Sequence, residues 1–218
     1  MRELRFARKG PEEAGALVVF LHGYGADGAD LLGLADVLSP HLPGVAFMAP
    51  DAPERCVGGG FGFQWFPIPW LDGSPVALAE AGLDAAAVDL NGFLDARLAE
   101  EGIGPERLVL VGFSQGAMMS LHVALRRAEP LAGVVAISGR LLRPEVLAGE
   151  ITARPPVLIM HGDQDPVVPF EDMGKAGNAL VGAGVPTYGH VMKGTGHGIA
   201  PDGLGVALQF ITERLGQG

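Results

Sequence analysis

The 218-residue sequence holds a single cysteine, Cys56, which excludes both an intramolecular disulfide and a cysteine-built metal cluster. Basic residues are also scarce: 15 Lys and Arg stand against 25 Asp and Glu, for a formal charge of −10. That sign repels phosphate backbones and anionic headgroups at long range, so nucleic acid is not an expected partner. Long apolar runs are missing too. Stretches such as 16–21 and 133–137 are far too short to span a bilayer, so no stable membrane insertion is expected. At the amino terminus, Met1-Arg2-Glu3-Leu4-Arg5-Phe6 puts charges where a signal peptide needs its apolar core. With one cysteine and no such leader, the expectation is a cytoplasmic protein.

What is present is a large apolar fraction, 48% of residues, enough for one substantial core. The short apolar runs read as strands buried on both faces, the mark of a parallel sheet covered by helices. After a weak strand at 4–6, strand-like segments fall at 17–21, 45–49, 108–111, 134–137, 157–160 and 185–192. Helical segments alternate with them at 30–38, 78–101 (amphipathic), 115–127, 172–181 and 202–215. This alternation predicts an α/β class, an open and mostly parallel sheet with helices on both faces. About twenty residues separate the strands near 133 and 157, too few for an inserted cap domain. With no repeat and no linker, residues 1–218 are expected to form one domain. A stretch rich in glycine, aromatics and proline, 58–75, interrupts the pattern as a long loop.

The sharpest chemical signal is Gly112-Phe113-Ser114-Gln115-Gly116, between a strand and a helix. In a nucleophile elbow the serine occupies a strained strand-to-helix turn, where side chains at the flanking glycines would collide with neighbouring backbone. With 34 glycines and five serines in the chain, the bare pattern would arise by chance about 0.1 times. The strand before it and the helix after it are therefore what give it meaning. A serine hydroxyl needs a base, and the base an orienting carboxylate, in the chain order Ser, acid, His. His190 falls within a strand and reads as a histidine without chemistry, whereas His197 lies in the loop Lys193-Gly-Thr-Gly-His-Gly198, at a strand's carboxyl end. His197 is the expected base.

For the carboxylate, both Asp163 and Asp165 sit in His161-Gly-Asp-Gln-Asp-Pro-Val-Val-Pro169. Asp165 precedes a proline that restricts its backbone and is preferred, while Asp163 suits a loop-capping role. Glu171 and Asp172 read as the acidic start of the next helix. An oxyanion needs preorganised N–H donors. The expected pair is the amide of Gln115 and, from the loop Leu21-His-Gly-Tyr-Gly-Ala-Asp-Gly28, that of Tyr24. These glycines lack both a Gly-Lys-Ser/Thr ending and dinucleotide spacing, so a phosphate cradle is not expected. No cofactor and no metal are expected. In 61–71 the aromatics Trp65 and Phe66 fit either an acyl-pocket wall or ordinary core; the length of the loop favours the wall. Val167, just past the acid, is expected to line the same pocket.

With His22-Gly23, the Ser114 elbow, the 161–169 block and Gly196-His197-Gly198, plus Trp65-Phe66-Pro67-Ile68, the sequence resembles the small carboxylesterase, acyl-protein thioesterase and phospholipase-like family of α/β-hydrolases. The resemblance spans 17–215. It implies Ser114, Asp165 and His197 as a catalytic triad and the amides of Tyr24 and Gln115 as the oxyanion hole; from the aromatic loop, Trp65, Phe66 and Ile68 are expected among the substrate contacts. Ala117 departs from the second glycine that many relatives carry there. The expected activity is that of a serine carboxylesterase for short- to medium-chain acyl esters, with a small-molecule ester as partner and a homodimer left open. A thioesterase on acylated proteins or a lysophospholipase is the alternative within the class. A non-catalytic binding protein on the same fold is the alternative outside it, and the intact triad argues against that one.

Overall fold

The computed structural model describes residues 1–56 and 61–216; Gly58, Gly59 and Gly60, which open the aromatic-rich stretch, lie outside the described residues. Seven strands form the main sheet: β1 (Phe6–Lys9), β2 (Ala16–Leu21), β3 (Val45–Pro50), β4 (Leu108–Phe113), β5 (Gly133–Ile137), β6 (Val157–Gly162) and β7 (Thr187–Met192). Their spatial order is β1-β3-β2-β4-β5-β6-β7. Only β1 runs antiparallel to its neighbour, β3; the other pairs are parallel. The helices are α1 (Gly28–Leu32), α2 (Leu34–Leu38), α3 (Pro69–Asp72), α4 (Val76–Glu101), α5 (Gln115–Ala124), α6 (Leu147–Glu150), α7 (Glu171–Gly182) and α8 (Pro201–Leu215).

Alternation along β2 divides the core. Leu17, Val19 and Leu21 face α4 and α5, together with Leu83, Leu90, Leu94 and Leu121. Ala16, Val18 and Phe20 face the other way, towards α1, α2 and α8, with Leu31, Leu38, Phe210 and Ile211. Every residue of β2, β3, β5 and β6 is buried, as expected of strands covered on both sides. Each large apolar side chain so buried contributes about 1.5–3 kcal/mol relative to exposure. The edge strands break the pattern most: Phe6 in β1 and Tyr188 in β7 are exposed.

Several boundaries differ from the sequence expectation. The first strand starts at Phe6 rather than residue 4 and runs into Arg8 and Lys9, because an edge strand tolerates charge. Leu4 instead drops into the core. The single helix expected over 30–38 is two short ones that meet at Gly33, a poor helix-interior residue; Asp27 caps the first by accepting from the amide of Asp30 at 3.2 Å. The stretch expected to be one loop contains α3 and the strand Phe63–Gln64, which pairs with Glu54–Arg55. Between β5 and β6 there is only the one-turn α6, and among the described residues no cap covers the carboxyl ends of the strands. Among the described residues, no helix is long and apolar enough to cross a membrane.

Candidate active site

Ser114 stands where β4 gives way to α5, with φ 53° and ψ −116°. A positive φ in a residue with a Cβ costs about 1–3 kcal/mol and persists only where surrounding structure enforces it. Here the enforcement is packing. A Cβ on Gly116 would overlap the carbonyl of Leu21 in β2, and one on Gly112 would overlap the carbonyl of Gly116. Both glycines of the motif are therefore required by contact, and the turn they permit turns the serine out of the sheet.

The carboxyl ends of β6 and β7 bring up the other two side chains. His197 Nε2 lies 3.0 Å from Ser114 Oγ, and its Nδ1 lies 2.7 Å from Asp165 Oδ2. Because an ionised carboxylate only accepts, Nδ1 carries the hydrogen and Nε2 presents its lone pair to the hydroxyl. The Asp165 side chain is fully buried. Its Oδ1 accepts from the amides of Val167 at 2.8 Å and Val168 at 2.9 Å. Burial works against the charge, but the hydrogen bonds from His197 and these two amides outweigh it and hold the carboxyl below its ordinary pKa. The Phe113 ring, 4.9 Å away between centroids, packs against the His197 imidazole.

Asp163 holds the histidine loop rather than the histidine. Its Oδ1 accepts from the amide of Gly194 at 2.7 Å, and the neighbouring Gln164 amide donates to the Thr195 carbonyl at 3.0 Å. Asp163→Asn keeps an oxygen for Gly194 and is expected to lower kcat by less than about tenfold. Asp163→Ala removes a hydrogen bond worth about 1 kcal/mol and is expected to lower kcat more. Steady-state kinetics of the pair check this. His190 is engaged elsewhere, 2.8 Å from Asp202.

Opposite the histidine, the loop after β2 closes on the serine: a Cβ on Gly23 would sit 3.3 Å from that of Ser114. The buried His22 fixes this loop. Its Nδ1 donates to the Gly23 carbonyl at 2.7 Å, and its Nε2 accepts from the Ala52 amide at 2.9 Å. Acceptance at Nε2 needs a neutral ring, and burial lowers the pKa in the same direction. Tyr24 follows Gly23 directly in this loop, and Gln115, the first residue of α5, follows Ser114.

The Gln115 side chain, whose part no local sequence signal marks, is wholly buried and ties the aromatic segment to the elbow. It accepts from the Trp65 amide at 2.9 Å and donates to the Phe66 carbonyl at 2.6 Å. Trp65 itself corrects an expectation. It has no exposed surface, and its Nε1 donates to the His22 carbonyl at 3.0 Å, so it supports the loop from within the core and is no pocket wall. Ile68 is likewise a core residue. Phe66 does line an apolar groove of about 230 Å³, with Pro67, Trp70, Ala79, Leu83 and Leu142. Val167 is exposed and contributes its amide to Asp165. A further residue missed in the sequence is His161, buried with Nε2 3.0 Å from the Val168 carbonyl and 3.3 Å from Asp165 Oδ2. The carbonyl can only accept, so His161 Nε2 carries a hydrogen that also faces the carboxylate.

A family model described as Phospholipase/Carboxylesterase matches residues 5–215. Acyl-protein thioesterase 1 of Saccharomyces cerevisiae is 31% identical, with 99% of each chain covered. Acyl-protein thioesterase 1 homolog 1 of Dictyostelium discoideum is 30% identical over 92% of this chain and 91% of its own. Among solved structures, that of esterase PE8 is similar at a TM-score of 0.92 and 42% identity, covering 98% of this chain and 100% of the other. The chain is a serine hydrolase with the α/β-hydrolase fold, and it belongs to the phospholipase/carboxylesterase family.

Proposed function

We propose that this protein, acting as a single catalytic unit, hydrolyses carboxylic esters of short to medium acyl chains through an acyl-enzyme on Ser114. The observation that carries the reading is the continuous chain from Ser114 Oγ through His197 to the buried Asp165, at 3.0 and 2.7 Å, on an elbow whose strain holds the hydroxyl outward. As Oγ attacks the carbonyl carbon, His197 Nε2 takes its proton, and Asp165 stabilises the imidazolium that forms. The amides of Tyr24 and Gln115 receive the developing oxyanion. Collapse breaks the bond to the leaving oxygen, which takes the proton from His197. Water then attacks the acyl-serine by the same route and releases the acid. The groove lined by Phe66 receives the acyl chain; what supports this is that the Phe66 carbonyl is bonded to the side chain of Gln115, the residue after Ser114.

A second reading, thioester hydrolysis, is favoured by the names of the yeast and Dictyostelium relatives. Thiolates leave more readily than alkoxides and depend less on proton delivery from His197, so the same site can serve both. The test is kcat/KM on p-nitrophenyl esters from acetyl to dodecanoyl, with matched octanoyl thioester and lysolipid, after confirming that a fluorophosphonate labels Ser114. We expect a rise over the first few carbons, about 0.8 kcal/mol per methylene at most, and then a plateau or fall. With no cap over the site, turnover needs no interface. A jump in rate above the critical micelle concentration, or preference for insoluble triglyceride, contradicts this reading.

A further inference from the structure

The apolar groove is bounded by charge at one place, where Arg143, in the segment after β5, reaches across to α4. Its guanidinium donates to Asp84 Oδ1 at 2.8 Å and lies 3.4 Å from the Glu80 carbonyl. Arg143 and Glu80 are the charged residues among the groove's described lining; the rest, Phe66, Trp70, Ala79 and Leu142 among them, are apolar. Arg143 also has φ 49°, a conformation a side-chain-bearing residue rarely adopts. The segment is thus held in a strained turn while its guanidinium spans to the helix.

Two of the segments that line the groove also touch the elbow that carries Ser114. On one side the Phe66 carbonyl is bonded to the Gln115 side chain. On the other, a Cβ on Gly139 would sit 3.0 Å from the Ser114 carbonyl, and Leu142 lies three residues on, within a chain reach of about 10 Å. Its volume of about 230 Å³ has room for an acyl chain of limited length. A longer chain must be pressed against the Arg143–Asp84 pair and strip water from both charges, which apolar carbon cannot replace.

We propose that the Arg143–Asp84 ion pair sets the upper limit of acyl-chain length, by closing the groove with a boundary that apolar chains do not cross. The inference rests on the proposed esterase activity. Both partners remain partly exposed, with side chains 27% and 62% accessible, so the pair contributes little to stability and can be altered without unfolding the protein. Arg143→Met keeps an apolar stem and removes the charge, while Arg143→Ala removes both. The quantity to measure is the ratio of kcat/KM for decanoyl and butyryl p-nitrophenyl esters, with melting temperature as the folding check.

In both variants that ratio is expected to rise by about tenfold or more, as two or three further methylenes find apolar wall. Ala79→Phe, which fills the groove, is expected to lower it by a similar factor. A ratio that stays constant or falls in the folded Arg143 variants overturns the boundary, while Ser114-dependent ester turnover in the same preparations leaves the esterase reading standing. Absence of Ser114-dependent turnover on every ester overturns both.

Discussion

Ser114→Ala is expected to lower kcat by about 10⁴- to 10⁶-fold while the protein stays folded. The substitution deletes one oxygen. It leaves untouched the contacts that shape the elbow, since those belong to Gly112, Gly116 and the Leu21 carbonyl. What remains is a site that can still bind an ester and donate hydrogen bonds to its carbonyl, so a residual acceleration of about 10³ over water is expected. Because the three side chains act as one unit, adding Asp165→Asn to Ser114→Ala should cost almost nothing more. The measurement is steady-state turnover of a butyryl ester, with circular dichroism for the fold. Turnover near the wild-type rate would place the nucleophile elsewhere and remove the proposed mechanism.

The parts of this arrangement legible in the sequence are those in which one residue type is forced by local geometry. Gly112 and Gly116 are readable because no side chain fits where they stand, and their spacing around Ser114 survives as a contiguous motif. His197 and Asp165 are readable as residues in loops after strands, where an α/β sheet places reactive groups. Strand identity is legible for the same kind of reason: burial on both faces leaves continuous apolar runs.

Positions set by partners far away in the chain are not legible. Trp65 looks the same in sequence whether it lines a pocket or fills a core. The His22 carbonyl, 43 residues away, decides between the two by accepting its indole N–H and allowing complete burial. The Gln115 side chain acts on a backbone segment 49 to 50 residues earlier, and Arg143 meets Asp84 across 59. His161 stands only four residues from Asp165, yet its role depends on the turn that brings Val168 back over it. The charges of Arg8 and Lys9 argue against a strand, and only the edge position of β1 makes them tolerable.

Asp165→Asn is expected to lower kcat by about 10⁴-fold at neutral pH, and the hydrogen bonds around the carboxylate say why. Oδ1 is held by two amide donors, from Val167 and Val168, so in the asparagine the carbonyl oxygen must stay there. Its NH₂ group then occupies the place of Oδ2 and faces His197 Nδ1, now as a donor. The imidazole must accept at Nδ1 and carry its hydrogen on Nε2, where it can no longer take the proton of Ser114. His161 Nε2, 3.3 Å from the same atom, adds a second donor facing the amide and blocks relief by small shifts. In the wild-type protein the carboxyl is held below its ordinary pKa, so it stays ionised across the acid limb of the rate profile. Asp165 itself should therefore add no second protonation to that limb. The same depression has a stability consequence. A carboxyl whose folded-state pKa lies below its unfolded value of about 3.9 contributes stability above that pH and loses it as pH falls through the folded value. Wild-type melting temperature should thus fall more steeply below about pH 4 than that of Asp165→Asn, which has no proton to bind there. A variant that retains more than about a tenth of wild-type kcat at pH 7 would mean that Asp165 does not set the tautomer of His197.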